Sequence, residues 1–338
     1  MRKHKSALIA IAVLGTATLA LAACSRGSSG SSGTPATGAS ASKNAVMIMS
    51  TLNNPFFVSV KNGAVAQAPT KGINLDVQNA NNSEATGLNL ATTALIKQPG
   101  ILIIDPVGSQ SATASVNAAN SASIPVMAFD RRPVGGNLAT FVGYDAIQAG
   151  RNAADALAKG MNNKGAIVEI QGILGTNVAQ DRSKGFEEEI AKHPDIKTVA
   201  KQSADFDRNK ALNTMTNILQ ANPDIQGVYA ANDEMAMGVL AALKARNLAA
   251  GKVTLVGNDG ISDALAATAA GDMYATNAES PYELGQQVIN LAADVVAGKT
   301  VPPNKTLEGQ IVTKDNVKAY AQHLVQIGDS ADVPTSLK

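Results

Sequence analysis

The chain of 338 residues has no tryptophan, six phenylalanines, five tyrosines and one cysteine. A single cysteine leaves no disulfide framework and no second thiol for redox chemistry. Only three histidines occur, His4, His193 and His323, far apart and in polar surroundings, and no His/Cys/Asp cluster has the spacing of a zinc site. The phosphate-binding loop that ends in Gly-Lys-Ser/Thr is missing. The glycine-rich stretch GILGTN, Gly172 to Asn177, lacks a full dinucleotide fingerprint and reads as a tight turn from a strand into a helix. With 28 basic against 27 acidic residues there is no electrostatic footprint for nucleic acid. No cofactor is called for, and no acid–base pair stands out. The absences point away from an enzyme and toward binding.

With 45% apolar residues, the chain has enough material for one large core or two ordinary ones. Its start has a separate purpose. Arg2, Lys3 and Lys5 precede an apolar run from Ala7 to Ala23, the pattern of a secretory signal and too short for a permanent membrane helix. The run ends in Leu21-Ala22-Ala23-Cys24, which resembles the lipobox of bacterial lipoproteins and implies cleavage before Cys24 and lipid attachment there. An ordinary secretory signal with a chance cysteine is the alternative. Loss of residues 1–23 removes three basic residues and no acidic one, leaving a slightly acidic body. Next, SRGSSGSSGTPATGASAS (Ser25 to Ser42) has no apolar period and reads as a flexible tether.

From Ala45 onward, short apolar runs alternate with helical stretches. Val46–Met49, Leu75–Val77, Ile101–Ile104, Val126–Phe129, Phe141–Val142, Ile167–Ile170, Val199–Lys201, Val228–Ala230, Leu255–Gly257 and Tyr274–Thr276 read as strands. This rhythm argues for an α/β fold with parallel sheets covered on both faces, and about ten strands argue for two domains. A weak internal repeat agrees. ALIKQPGILIIDP (Ala94 to Pro106) resembles NILQANPDIQGVYAAND (Asn217 to Asp233), and the next strands end in Phe129-Asp130 and Asn258-Asp259. Equivalent strands thus end in polar groups at equivalent places, and in open α/β sheets ligands sit at the carboxyl ends of strands.

Those strand ends carry the candidate chemistry. Ser50 follows the first strand, and Asn54 before Pro55 is an N-cap followed by N1. Asp105, Asp130, Asn232 and Asp259 end later strands, Arg131 and Arg132 follow Asp130, Arg182 lies in the helix after GILGTN, and Glu279 follows a strand. Singly, each also has a structural reading as a cap, a turn residue or an ion pair. Together, carboxylates that accept and guanidinium forks that donate suit a polyhydroxylated small molecule. Phe56, Phe57 and Phe206 offer flat rings for its C–H faces.

STLNNPFFVSVKNGA, FDRRP, EIQGILGTN, DRSKGF, ADFDRNKALNTM, AANDEMAMGVLAAL and VGNDG, in this order from about Ala45 to about Val312, resemble the ribose-binding proteins of bacterial ABC importers. The resemblance implies two Rossmann-like domains joined by a three-strand hinge, one from residues 44–144 plus 280–308, the other from 145–279 plus 309–338. It implies a pocket of Ser50, Asn54, Phe56, Phe57, Asp130, Arg131, Arg182, Phe206, Asn232 and Asp259. Four positions depart from the family pattern: Asp105 for Asn, Tyr144 for a hinge Ser, Asn258 for Phe and Glu279 for a hinge Gln. They make the expected pocket more polar and more anionic, so the ligand expected is a ribose-like pentose or a sugar alcohol; alternatively, Asp105 and Glu279 pair with arginines. With the lipobox resemblance, which implies a lipid anchor at the outer face of the membrane, the resemblance to ribose-binding proteins implies partnership with a permease and its ATPase, and a monomer is expected. A sensor that presents a sugar to a membrane receptor is the other reading.

Overall fold

The computed structural model describes residues 42–338; the leader, Cys24 and the linker through residue 41 lie outside the described residues. The chain runs β1 (Asn44–Met49), α1 (Pro55–Gln67), β2 (Asn74–Asn79), α2 (Glu84–Ile96), β3 (Ile101–Ile104), α3 (Ala112–Ser121), β4 (Val126–Phe129) and β5 (Thr140–Tyr144). A second series follows: α4 (Ala146–Gly160), β6 (Gly165–Gln171), α5 (Asn177–Ile190), β7 (Ile196–Ser203), α6 (Arg208–Ala221), β8 (Gly227–Ala230), α7 (Asp233–Ala245), β9 (Thr254–Asp259), α8 (Ser262–Ala270) and β10 (Ala275–Ala278). Then come α9 (Pro281–Val296), β11 (Asn304–Leu307), β12 (Gln310–Thr313) and α10 (Val317–Gln326).

The strands form two sheets of six, ordered β11-β5-β4-β3-β1-β2 and β12-β10-β9-β8-β6-β7. All pairs are parallel except β10 with β12, which is antiparallel. Parallel strands need helical crossovers, and these cover both faces, so the central strands have no polar side to show. The run ILII of β3 is buried throughout, as is VMAF of β4. Each sheet with its helices is a lobe, and the chain passes between sheets three times: after β5, after β10 and between β11 and β12.

In both lobes the strand order reverses direction beside the first strand of the series, between β1 and β3 and between β6 and β8. Crevices open at the carboxyl ends of strands at such points. The turns there are closed by side-chain caps. Asn54 Oδ1 accepts from Phe56 N–H at 2.9 Å, Asn232 Oδ1 from Met235 N–H at 3.0 Å, and Thr176 Oγ1 from Ala179 N–H at 3.3 Å. Each cap satisfies an otherwise orphaned amide and fixes where its helix begins. The repeat therefore has a structural meaning: Asp105 follows β3 as Asn232 follows β8, and Asp130 follows β4 as Asp259 ends β9.

Two strands have no counterpart in the sequence reading. NKTL of β11 and QIVT of β12 are edge strands of four residues; β11 has one apolar residue, and β12 has Ile311 and the buried Val312. The C-terminal helix α10 packs on the second lobe through Val317, Tyr320 and Leu324. The segment after it also touches the first lobe, where the Ser59 hydroxyl donates to Asp329 Oδ2 at 3.2 Å.

Candidate functional site

On the first lobe, Pro55 in the first turn of α1 sets Phe56 and Phe57 at the helix start, both buried and packed edge to face with ring centres 5.3 Å apart. Asp130 adopts a left-handed backbone (φ 55°), a conformation costly for a residue with a side chain, and turns the chain sharply after β4. Arg131 then reaches back, donating from a terminal nitrogen to Pro106 O at 3.1 Å, with its Nε 3.8 Å from Asp130 and 3.9 Å from Asp105. Behind these groups, Ser50 N–H donates to Asp105 Oδ2 at 3.0 Å. Burial pushes the Asp105 carboxyl up to about 7 against the pull of Arg131, and burial raises Asp130 too. Ser50 Oγ, Asp105 Oδ1 and Arg131 Nε are buried without hydrogen-bond partners.

On the second lobe, Arg182 is the hub. Its guanidinium donates to Ala231 O at 2.8 Å, to Asp259 Oδ1 at 3.4 Å, and to both Glu279 oxygens at 3.2 and 3.0 Å. The Asn258 amide donates to Asp259 at 3.2 Å and to Glu279 at 3.1 Å, while its oxygen accepts from Asn277 at 3.0 Å. Burial would lower the Arg182 pKa, but Glu279 and Asp259 outweigh it and hold the cation firmly charged. Burial raises Glu279, and raises Asp259 well above the usual carboxylate range. Asp259 (φ 124°) and Phe206 (φ 58°) also occupy the left-handed half of backbone space. The Phe206 ring lies over Gly172 so closely that a Cβ there would come within 2.1 Å of it.

The two walls meet in a narrow slot lined by Asn54, Phe56, Phe57, Asp130 and Arg131 from one lobe and Val178, Arg182, Phe206, Asn232 and Asp259 from the other. Arg131 stands between rings of both lobes, 5.2 Å from the centre of Phe57 and 5.7 Å from that of Phe206, within cation–π range. The slot encloses about 20 Å³, and a cleft mouth of about 710 Å³ adjoins it, sharing Asn54, Phe57, Arg131 and Phe206.

Nine of the fifteen residues singled out from the sequence line this slot, and Arg132 does not. Ser50 and Asp105 lie behind the first wall, and Asn258 and Glu279 lie behind the second, holding Arg182 and Asp259 in place. Tyr144 is elsewhere: its hydroxyl donates to Ser280 O at 3.0 Å and it borders a separate cavity of about 300 Å³ at the crossings between sheets, which Glu279 also borders. Two residues escaped the sequence reading. Val178 is an apolar slot residue without a chemical signature. Asp233 is buried and accepts from Gly260 N–H at 2.7 Å, Ile261 N–H at 3.2 Å and the Thr276 hydroxyl at 2.9 Å, fixing the loop after Asp259; burial pushes it up to about 7. Its signal was the Asn232-Asp233 pair at a helix start. Among the described residues no group of three or more His, Cys, Asp or Glu side chains is placed to hold a metal ion, and no helix is long and apolar enough to cross a membrane.

Residues 45–300 match the family model for the periplasmic binding protein domain. The chain is 38% identical over 276 residues to the ribose import binding protein of Salmonella typhimurium, covering 82% of this chain and 92% of that protein. It is 32% identical over 317 residues to the xylitol-binding protein of Mycolicibacterium smegmatis, covering 94% and 88%. A periplasmic solute-binding protein of an ABC transporter from Actinobacillus succinogenes, solved with bound D-allose, superposes with a TM-score of 0.79 at 32% identity, over 82% of this chain and 99% of that one.

Proposed function

The chain belongs to the periplasmic binding protein family, and we propose that it captures a monosaccharide or sugar alcohol between its lobes and delivers it to an ABC permease. The observation that carries this reading is the meeting of two polar strand-end walls with three aromatic rings and two buried arginines between them. Four carboxyl groups, Asp105, Asp130, Asp259 and Glu279, surround those two cations. That excess of acid disfavours an anionic ligand. Carboxyls whose pKa is raised toward neutrality both donate and accept, which matches hydroxyls that do the same. Asp259 and Asp130 take hydroxyls from opposite sides, Arg131 and Arg182 donate to ring or hydroxyl oxygens, and Phe56, Phe57 and Phe206 cover the C–H faces.

A slot of about 20 Å³ has room for about one water molecule. A sugar ring enters when the lobes move apart about the three crossings, and renewed closure buries it. Only the closed protein then presents both lobe faces to the permease, whose ATPase works on the other side of the membrane. Cys24 supplies a lipid anchor, residues 25–42 a tether, and the protein acts as a monomer at the extracytoplasmic face.

A thermal-shift panel of D-ribose, other pentoses, hexoses and pentitols tests the reading. A ligand at about 100 times its Kd adds about 2.7 kcal/mol to unfolding. Asp259→Ala is expected to abolish the shift while leaving an intact ligand-free fold; an unchanged shift removes Asp259 from the site. Ribose as the sole tight ligand excludes the sugar alcohols.

A further inference from the structure

The lobes touch at a second place, beyond the slot, through four hydrogen bonds. Ser109 N–H donates to Gly175 O at 3.2 Å, and Asn177 N–H donates to Ser109 Oγ at 3.1 Å. The Ser109 hydroxyl and the Arg132 N–H both donate to Asn177 Oδ1, at 3.4 and 2.8 Å. Ser109 and Arg132 belong to loops after β3 and β4, whereas Gly175 and Asn177 belong to the turn between β6 and α5. Neither Ser109 nor Asn177 lines the slot. We propose that Ser109 and Asn177 form a latch that holds the closed cleft shut and sets ligand residence time without touching the ligand.

The geometry suits that role. Every one of the four bonds crosses from one lobe to the other, so all four are broken when the lobes part. Serine and asparagine satisfy each other in a closed ring, with Ser109 Oγ accepting from the Asn177 backbone and donating to its side chain. Arg132 directly follows Asp130 and Arg131, and Val178, which lines the slot, directly follows Asn177. The latch therefore ties the backbones of the two pocket walls together within one or two residues of the groups facing the ligand. A bond present only in the closed state stabilises that state against the open one, and a ligand leaves from the open one. Asn177 is the first residue of α5 and not its cap, which is Thr176. Removing its side chain thus spares the cap.

The latch presupposes the capture role proposed above. Whichever of D-ribose, D-allose and xylitol binds wild type most tightly serves as the probe, and release is followed by stopped-flow displacement. Asn177→Ala is expected to speed release about tenfold, the scale of one net hydrogen bond between closed and open forms. The association rate does not fall, the order of preference among the three probes is unchanged, and unfolding without ligand stays as in wild type. Asn177→Asp keeps the accepting oxygen and restores slow release. Ser109→Ala combined with Asn177→Ala is expected to cost less than the two effects multiplied, because both remove one shared bond. Release from Asn177→Ala at the wild-type rate overturns the latch alone. An altered order of preference also overturns it, by making Asn177 a ligand contact. No thermal response of wild type to these three or to any other pentose, hexose or pentitol of the panel overturns the capture reading, and the latch with it.

Discussion

Arg182 concentrates the energetics of the site in one side chain. It is 4% exposed, lies between Asp259 and Glu279, and is the cation that offsets both. Taking charges out of water is costly, and a buried pair is tolerable only while both partners are present. Arg182→Met keeps the stem but leaves two buried carboxyls to face each other, which they accommodate by binding protons. The expected loss is about 3–5 kcal/mol of stability, together with loss of ligand binding. Urea titration checks the first and a thermal-shift panel the second. Asp105 and Glu279 explain why sequence alone read the pocket as more anionic than its slot is. Both were legible as strand-end polar residues, but whether a buried acid faces a ligand or an arginine depends on side-chain direction. Here Glu279 spends both oxygens on Arg182. Tyr144 shows the same limit, since its position was legible and its partner, Ser280, was not.

Pairs of helices position these side chains, and glycines set how closely the pairs approach. A Cβ on Gly150 of α4 would lie 2.1 Å from Arg182 O, and one on Gly185 of α5 would lie 2.0 Å from Ile147 O. The other lobe repeats the arrangement: a Cβ on Gly63 of α1 would meet Tyr282 O at 2.0 Å, and one on Gly285 of α9 would meet Val60 O at 2.0 Å. Gly150→Ala must push α5 and with it Arg182, so it is expected to cost about 1–3 kcal/mol and to weaken binding. Gly87→Ala, in α2, has the opposite sign, because its Cβ would meet Ala80 Cβ at an ordinary 3.7 Å. There the entropy saved in the unfolded chain and the better helix propensity are expected to add about 0.5–1 kcal/mol. Chemical denaturation of the two variants side by side checks both signs. The sequence made the elements themselves legible wherever burial forced an apolar run, as in β3 and β4, and wherever a cap announced a helix, as at Asn54. It could not disclose the glycine contacts, because Gly63 meets residues more than two hundred positions away. Nor could it mark β11 and β12, whose four-residue stretches at a sheet edge carry at most two apolar residues each.

Across the whole molecule the buried acids act together on stability. Burial pushes Asp105, Glu169, Asp233 and Asp329 up to about 7, and raises Asp130, Asp259 and Glu279 as well. These groups are spread over both lobes and the C-terminal segment, so their effect belongs to the fold and not to the pocket alone. In the unfolded chain the same carboxyls titrate near 4. Between about 4.5 and about 7 the folded protein therefore binds more protons than the unfolded chain, and stability falls as pH rises through that window. Hydrogen-bonded pairing lowers Glu188 and Asp205, through Arg151 and Lys210, but their contribution is lost only as pH drops below their unfolded values, outside the window. The expected urea midpoint is highest near pH 5 and declines toward pH 7.5. Asp329→Asn isolates one contributor far from the ligand. Its amide oxygen still accepts from Ser59, while the proton and the repulsion from Asp332 are removed. That variant is expected to be more stable than wild type at pH 8 and to show a shallower decline. A midpoint that rises from pH 5 to pH 7.5 in both proteins would mean that the buried carboxyls ionise without cost, with solvent reaching the interiors of both lobes.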